Sequence, residues 1–476
     1  MARMKHLLLA VLSLLLIAGA VPGSGAPPSR AGELLFPLEE PAGLVASFGE
    51  YRPEHLHAGI DFSTRGRTGL PVRAVAAGRI FRLKVEWRGY GRALYVRHPD
   101  GRISVYAHLE RFEDQRLGLE KRVLEERRRR GDRYPGDIYL EPTIPVQGGD
   151  VIAFSGESGA GLPHLHFEMR REDQEPSDPL QPGWAAGVAA PVFEAVIFRA
   201  LAPETWVEGE RVGEAPLIRG RDGIYVPARA LSVNGPFLPE ARIDSRDPEG
   251  HRLGIKALSV RVDGTTLYDF RLESFRFSQY PAVGRILDHA RSGVSPPEYT
   301  YFLSRLKGNE MGRSIAGENP WPLLAPGNHH LEVDAVGVSG EVSRARVPFQ
   351  VLPAVGLAWE GRSSRDARHT LRFGALRVGL GPGLRVVYRA AGGREPVLCG
   401  DREELPDGEV CRFEVPAEVP AITADLLRGS LLLGRRTLFF PAEPGEARTA
   451  PEVRVEPSTR YVDLRLRIRD GQPPPA

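Results

Sequence analysis

Between residues 35 and 170 apolar and polar side chains alternate over short runs, the period of strands with one buried face. Val72 to Ile80 is apolar with a break at Gly78. Leu94-Tyr95-Val96-Arg97-His98 runs into Pro99-Asp100-Gly101, a turn signal, and Ile103 to Leu109 follows, so the pair reads as a hairpin. Val151 to Phe154 comes after another turn at Gly148-Gly149-Asp150. One stretch breaks the pattern. Leu119, Val123 and Leu124 recur at helical spacing, and Arg127 to Arg130 close the run, where a helix dipole favours cations. Gly131 then offers a C-cap. These signals predict a helix within an insertion spanning residues 113–141.

Residues 171–192 are rich in proline, glycine and small side chains and read as a linker. Beyond them strands return. Leu258, Val260 and Val262 alternate with polar residues and lead into Asp263-Gly264, and Leu331 to Val336 and Val342 to Val351 follow. Near the end Leu464, Leu466 and Ile468 alternate with Arg465, Arg467 and Arg469, the pattern of a half-buried strand. The expected fold is mainly β. An antiparallel β domain with one helical insertion occupies 35–170. Two β-sandwich-like accessory domains occupy 193–352 and 353–470, and a disordered tail covers 471–476.

Composition supports this division. A chain of 476 residues is too long for one ordinary domain, and its 53 glycines and 42 prolines favour short strands and turns. A net charge of +2 gives no electrostatic case for nucleic acid. Arg3, Lys5 and His6 precede an apolar run from Leu7 to Val21 that contains Ala18-Gly19-Ala20. This reads as a secretory signal over residues 1–20, followed by a flexible leader over 21–34. No later segment is long and apolar enough for an integral membrane span. Cys399 and Cys411 flank the turn Pro406-Asp407-Gly408. In an exported protein they are expected to join as a disulfide across a hairpin.

The candidate chemistry lies in the first domain. His164-Leu165-His166 in an extended segment places two imidazoles on one face, with Leu165 and Phe167 on the other. His57-Ala58-Gly59-Ile60-Asp61 adds a histidine and a carboxylate, and Tyr106-Ala107-His108-Leu109 adds another histidine. On a straight strand His57 and Asp61 would stand roughly 13 Å apart, so sharing a metal requires a bend, which Gly59 permits. His57, Asp61 and His166 are the assigned ligands. Three nitrogen and oxygen ligands with a place for water is the catalytic arrangement for zinc. His108 and His164 remain for proton transfer and oxyanion stabilisation. His55 is the nearest rival ligand; His98 and the pair His329-His330 are expected to serve surface or packing roles.

Residues 35–170 resemble the LytM/lysostaphin-type zinc metalloendopeptidases. The matching stretches are His57 to Asp61, Gly69-Leu70-Pro71-Val72-Arg73-Ala74, Tyr90-Gly91, His98 to Gly101, Tyr106 to Leu109, Gly149-Asp150-Val151-Ile152 and Pro163 to Glu168. The resemblance implies one Zn2+ per chain on His57, Asp61 and His166, and catalytic imidazoles at His108 and His164. It implies an exported enzyme of the periplasm or cell exterior, cutting peptide bonds in the stem peptides or cross-bridges of peptidoglycan. The alternative is a catalytically restrained LytM-like regulator that binds and activates another wall hydrolase. A cell-envelope protein partner, met through the accessory domains, fits either reading. A third reading, a lipoyl-like carrier suggested by Val146 to Ile152, lacks a lysine in a suitable turn. Two departures from the family pattern stand out: Leu162 before Pro163, and the long insertion.

Overall fold

A computed structural model of the chain describes residues 34–439, apart from 40–41, 54, 160, 203–204, 295–296, 312–323, 354, 366–367, 379–382, 392 and 407, together with the strands Glu452–Pro457 and Val462–Arg467. The signal expected at 1–20, the leader up to residue 33 and the tail at 471–476 lie outside the described residues. The chain divides into two compact units, the first centred on residues 61–174 and the second on residues from 185 onward.

The first unit is built from β1 (Ile60–Ser63), β2 (Pro71–Arg73), β3 (Gly78–Val85), β4 (Arg92–Arg97), β5 (Ile103–Ala107), β6 (Leu109–Phe112), α1 (Leu119–Arg130), β7 (Gly136–Val146), β8 (Val151–Ser155) and β9 (His164–Arg170). The main sheet runs β1–β9–β5–β4–β3–β7, and a small sheet runs β2–β8–β6. From β9 through β5, β4 and β3 to β7 the strands pair antiparallel. The hairpin read from residues 94–109 is the β4–β5 pair, with Leu94 opposite Tyr106.

Both faces of this sheet are covered, which explains why β5 is buried at all five positions. On one face Leu94, Tyr106 and Phe167 lie side by side across β4, β5 and β9. The Phe167 ring stands 5.4 Å from that of Tyr106 and 5.8 Å from that of Trp184. Trp184, within the stretch read from sequence as linker, also packs on Phe36 and Phe62 at 5.5 and 5.6 Å. The other face is floored by Ala93, Tyr95, Ile103, Val105 and Ala107, and the candidate chemistry lies on it.

The helix α1 covers the span its sequence pattern predicts, and Gly131 ends it in the left-handed conformation at φ 65°. It is tied down by Glu120, which accepts the Phe112 N–H at 2.7 Å and pairs with Arg92. At the sheet edge β7 carries Pro142 and Pro145, and an edge strand tolerates missing N–H donors.

The second unit is also β. Val192–Ala200 pairs antiparallel with Val212–Arg219 and Phe237–Asp244. Gly327–Val336 pairs with Ala257–Val262 and Val342–Val351. Farther along, two four-stranded sheets share one core, Leu371, Phe373, Phe413 and Val415 from one and Tyr388, Ile422 and Ala424 from the other. Cys399 and Cys411 form a disulfide with their Cα atoms 5.6 Å apart. Among the described residues no helix is long and apolar enough to cross a membrane.

Candidate metal centre

Strand β9 sorts its side chains by period two. Leu165, Phe167 and Met169 are buried in the core face. His164, His166, Glu168 and Arg170 alternate with them and share the opposite face. Antiparallel pairing sets His166 opposite Ala107, whose small side chain leaves room for an imidazole, and Glu168 opposite Val105. On β1, Asp61 lies between the buried Ile60 and Phe62 and is itself buried. Its Oδ1 lies 2.8 Å from His166 Nδ1 and 3.8 Å from His164 Nε2.

His57, Asp61 and His166 are all buried and present ligand atoms within 4.8 Å of one another. The donor set is two imidazole nitrogens and a carboxylate oxygen, which suits a three-ligand zinc site with room for a fourth. The hydrogen bonding fixes which nitrogens serve. His57 Nδ1 lies 2.9 Å from the Ser47 carbonyl oxygen, to which it must donate, which leaves Nε2 as the nitrogen that could take a metal. His166 donates from Nε2 to Glu168 Oε1 at 2.9 Å, which leaves Nδ1 as the nitrogen that could take one. Burial opposes a charge on the His166 ring, but hydrogen bonds to Asp61 and Glu168 outweigh it and push the pKa up to about 9. The pocket between these carboxylates thus stabilises a buried positive charge, as a cation site must.

His108 sits at a left-handed backbone φ of 56°, sparsely populated for a non-glycine residue. Its Nδ1 donates to the Ser158 carbonyl at 2.9 Å. The ring centroid is 4.6 Å from that of His164 and 5.6 Å from that of His166. Burial, then the neighbouring His166 and His164, pushes its pKa down to about 3. His108 is therefore neutral near pH 7, with its Nδ1 proton fixed and Nε2 the basic nitrogen. Ser158 is itself pinned: its hydroxyl donates to the Leu109 carbonyl at 2.7 Å and accepts from the Arg92 N–H at 2.9 Å. Gly91, at φ 62°, lets the β3–β4 turn approach, since a Cβ there would lie 2.2 Å from the Ser158 oxygen. His164 Nδ1 donates to the Leu162 carbonyl at 2.6 Å. The Leu162 side chain is 82% exposed.

The structure thus gathers Asp61, His108, His164 and His166 about one point, and groups His57 with Asp61 and His166. It leaves His55, His98 and His329 elsewhere. His55 is exposed, with its ring 5.2 Å from that of Tyr280. His98 is buried and bonded to the Ala77 carbonyl and Ser104 Oγ, both at 2.9 Å. His329 bonds Asp263 at 2.6 Å.

Sequence reasoning assigned no role to Glu168, Arg170, Tyr90 or Ser158. Glu168 is fully buried; besides His166, it accepts from Tyr90 Oη at 2.5 Å and Arg170 Nε at 2.6 Å. Burial alone would raise its pKa, but Arg170 and His166 outweigh burial and hold it at about 2. The alternation that puts His164 and His166 on one face carries on to Glu168 and Arg170, so their placement was readable. The approach of Tyr90 and Ser158 depends on loop paths that no local pattern shows.

Residues 55–122 match Peptidase family M23. The chain carries a peptidase family M23 domain. The matched stretch contains His57, Asp61 and His108, and the antiparallel pairing of β9 with β5 brings His164 and His166 alongside. Over 126 residues the chain is 35% identical to DD-carboxypeptidase/endopeptidase Mpg of Neisseria meningitidis, covering 26% of this chain and 22% of that protein. Over 165 residues it is 32% identical to the lipoprotein NlpD/LppB homolog of Pseudomonas aeruginosa, covering 34% of this chain and 44% of that protein. The chain thus spans less than half the length of either relative. Among solved structures, the catalytic domain of the prophage-encoded M23 protein EnpA of Enterococcus faecalis aligns at 20% identity with a TM-score of 0.23, covering 32% of this chain and 99% of that one.

Proposed function

We propose that this chain is an exported zinc metalloendopeptidase that hydrolyses peptide bonds in peptidoglycan stem peptides or cross-bridges. The observation that carries this reading is the convergence of His57, Asp61 and His166 within 4.8 Å, beside a second imidazole pair whose rings are 4.6 Å apart. These three residues would hold Zn2+, which when bound supplies a Lewis acid that polarises the scissile carbonyl and makes water acidic enough to attack near neutral pH. The protein's own groups handle the protons. His108, neutral and locked on Ser158 through Nδ1, accepts a proton from the attacking water at Nε2. His164, anchored through Nδ1 on the Leu162 carbonyl, turns Nε2 toward the same space and stabilises charge developing on the carbonyl oxygen. The Neisseria relative is named a DD-carboxypeptidase/endopeptidase, and the Haemophilus influenzae relative an outer membrane antigenic lipoprotein. The first name fits a wall peptide substrate and the second an envelope location.

The likeness to an NlpD/LppB homolog favours a second reading, a regulator that binds and activates another wall hydrolase. One experiment separates the two. Purified peptidoglycan is incubated with zinc-loaded protein, with chelator-treated protein and with His166→Ala, and the fragments are identified by mass spectrometry. Fragments with new peptide termini, present only with the zinc-loaded wild type, are expected and identify the bond. Intact peptides in the presence of stoichiometrically zinc-loaded protein would overturn the enzyme reading in favour of the regulator.

A further inference from the structure

We infer that Glu168, held by Arg170 and Tyr90, is the positioning residue that orients His166 for the metal and tunes its grip. The inference rests on the zinc reading above. Glu168 spends both carboxylate oxygens inside the protein. Oε1 accepts from His166 Nε2 at 2.9 Å and from Tyr90 Oη at 2.5 Å, and Oε2 accepts from Arg170 Nε at 2.6 Å. Arg170 also donates to Tyr90 Oη at 3.0 Å, which closes a ring of three side chains. Its guanidinium lies over the rings of Tyr90 and Tyr95, 5.7 and 5.6 Å from their centroids. With every oxygen engaged and the side chain fully buried, Glu168 cannot swing round to become a ligand itself.

Three consequences follow for His166. The carboxylate fixes the proton on Nε2, so that Nδ1 is the nitrogen turned toward Asp61. It holds the ring plane, because His166 and Glu168 share one face of the same strand. It also makes Nδ1 a better electron donor, as a carboxylate behind a ligating imidazole does. Arg170 lets this carboxylate stay buried and ionised, since a buried charge requires a partner. The pair is neutral as a unit.

The test uses the chain itself and two variants. Glu168→Gln keeps the shape and removes the charge, but it strands the Arg170 guanidinium and can unfold the domain. Glu168→Gln combined with Arg170→Met removes both charges and relieves that burden. Zinc affinity is measured by competition with a chromophoric chelator, and coordination by the visible spectrum of the cobalt-loaded protein. Zinc binding by the folded variant should weaken about 10- to 100-fold, and the cobalt bands should shift. A packing role alone would lower the thermal midpoint but leave the affinity of the folded protein and its cobalt spectrum unchanged. That result, in whichever variant folds, overturns the inference while the zinc reading stands. Failure of the wild type to bind zinc would remove both.

Discussion

Acidifying the chelator-treated protein from pH 7.5 to pH 4.5 should destabilise its first unit by about 2–3 kcal/mol through His108 alone. In an unfolded chain a histidine titrates near pH 6.5. In the folded protein burial and the adjacent His166 and His164 push His108 down to about 3. Between those values the unfolded chain takes up a proton that the folded one refuses. The stability tied to neutral His108 is therefore complete above pH 6.5 and is lost as pH falls toward 3. Two pH units at about 1.4 kcal/mol each give the figure. Other groups act over the same range. His166, raised to about 9, contributes in full below pH 6.5 and progressively less between pH 6.5 and 9, so acidification restores part of its contribution and offsets His108. Glu168, held at about 2, contributes fully above pH 4.5 and declines below that. His98, pushed down by burial, acts in the same direction as His108. The measurement is accordingly a difference: urea unfolding of wild type and His108→Gln at both pH values, with chelator present. The wild type should lose about 2–3 kcal/mol more than the variant. Equal losses would show that His108 protonates freely in the folded state.

His166→Ala should abolish zinc binding and hydrolysis, whereas His108→Ala should keep zinc and lose about 10²- to 10⁴-fold in turnover; chelator competition and fragment release measure the two. Gly91→Ala should impair turnover while sparing zinc affinity, because its Cβ would meet the Ser158 carbonyl that anchors His108; unchanged kcat would show that this anchor is dispensable. Phe167→Ala should cost about 3–5 kcal/mol in urea unfolding, since a fully buried ring among Phe62, Tyr106 and Trp184 leaves a cavity.

The sequence revealed whatever depends on local period. Alternation predicted strands such as β5 and β9, helical spacing with a glycine cap predicted α1, and a turn between two cysteines predicted the Cys399–Cys411 bond. The mainly β character followed from the same signals. Features that depend on chain path were not legible. Ser158 reaches His108 because two glycine-permitted turns come together, at Gly91 and at Gly159. Tyr90 reaches Glu168 across the sheet from a turn 78 positions away. Trp184 looked like linker because its flanks are small and proline-rich, yet it joins the aromatic core of the first unit. A short apolar island in such a stretch carries no periodicity to announce it.

The arrangement of β9 has a consequence for how this protein can fail. Chemistry and hydrophobic packing are interleaved residue by residue on seven positions. Sliding the strand by one residue against β5 would turn Phe167 toward the ion pocket and drive His166 and Glu168 into oil. Misassembly of this strand would therefore yield a chain that cannot complete its fold, not a well-folded protein with a scrambled histidine cluster.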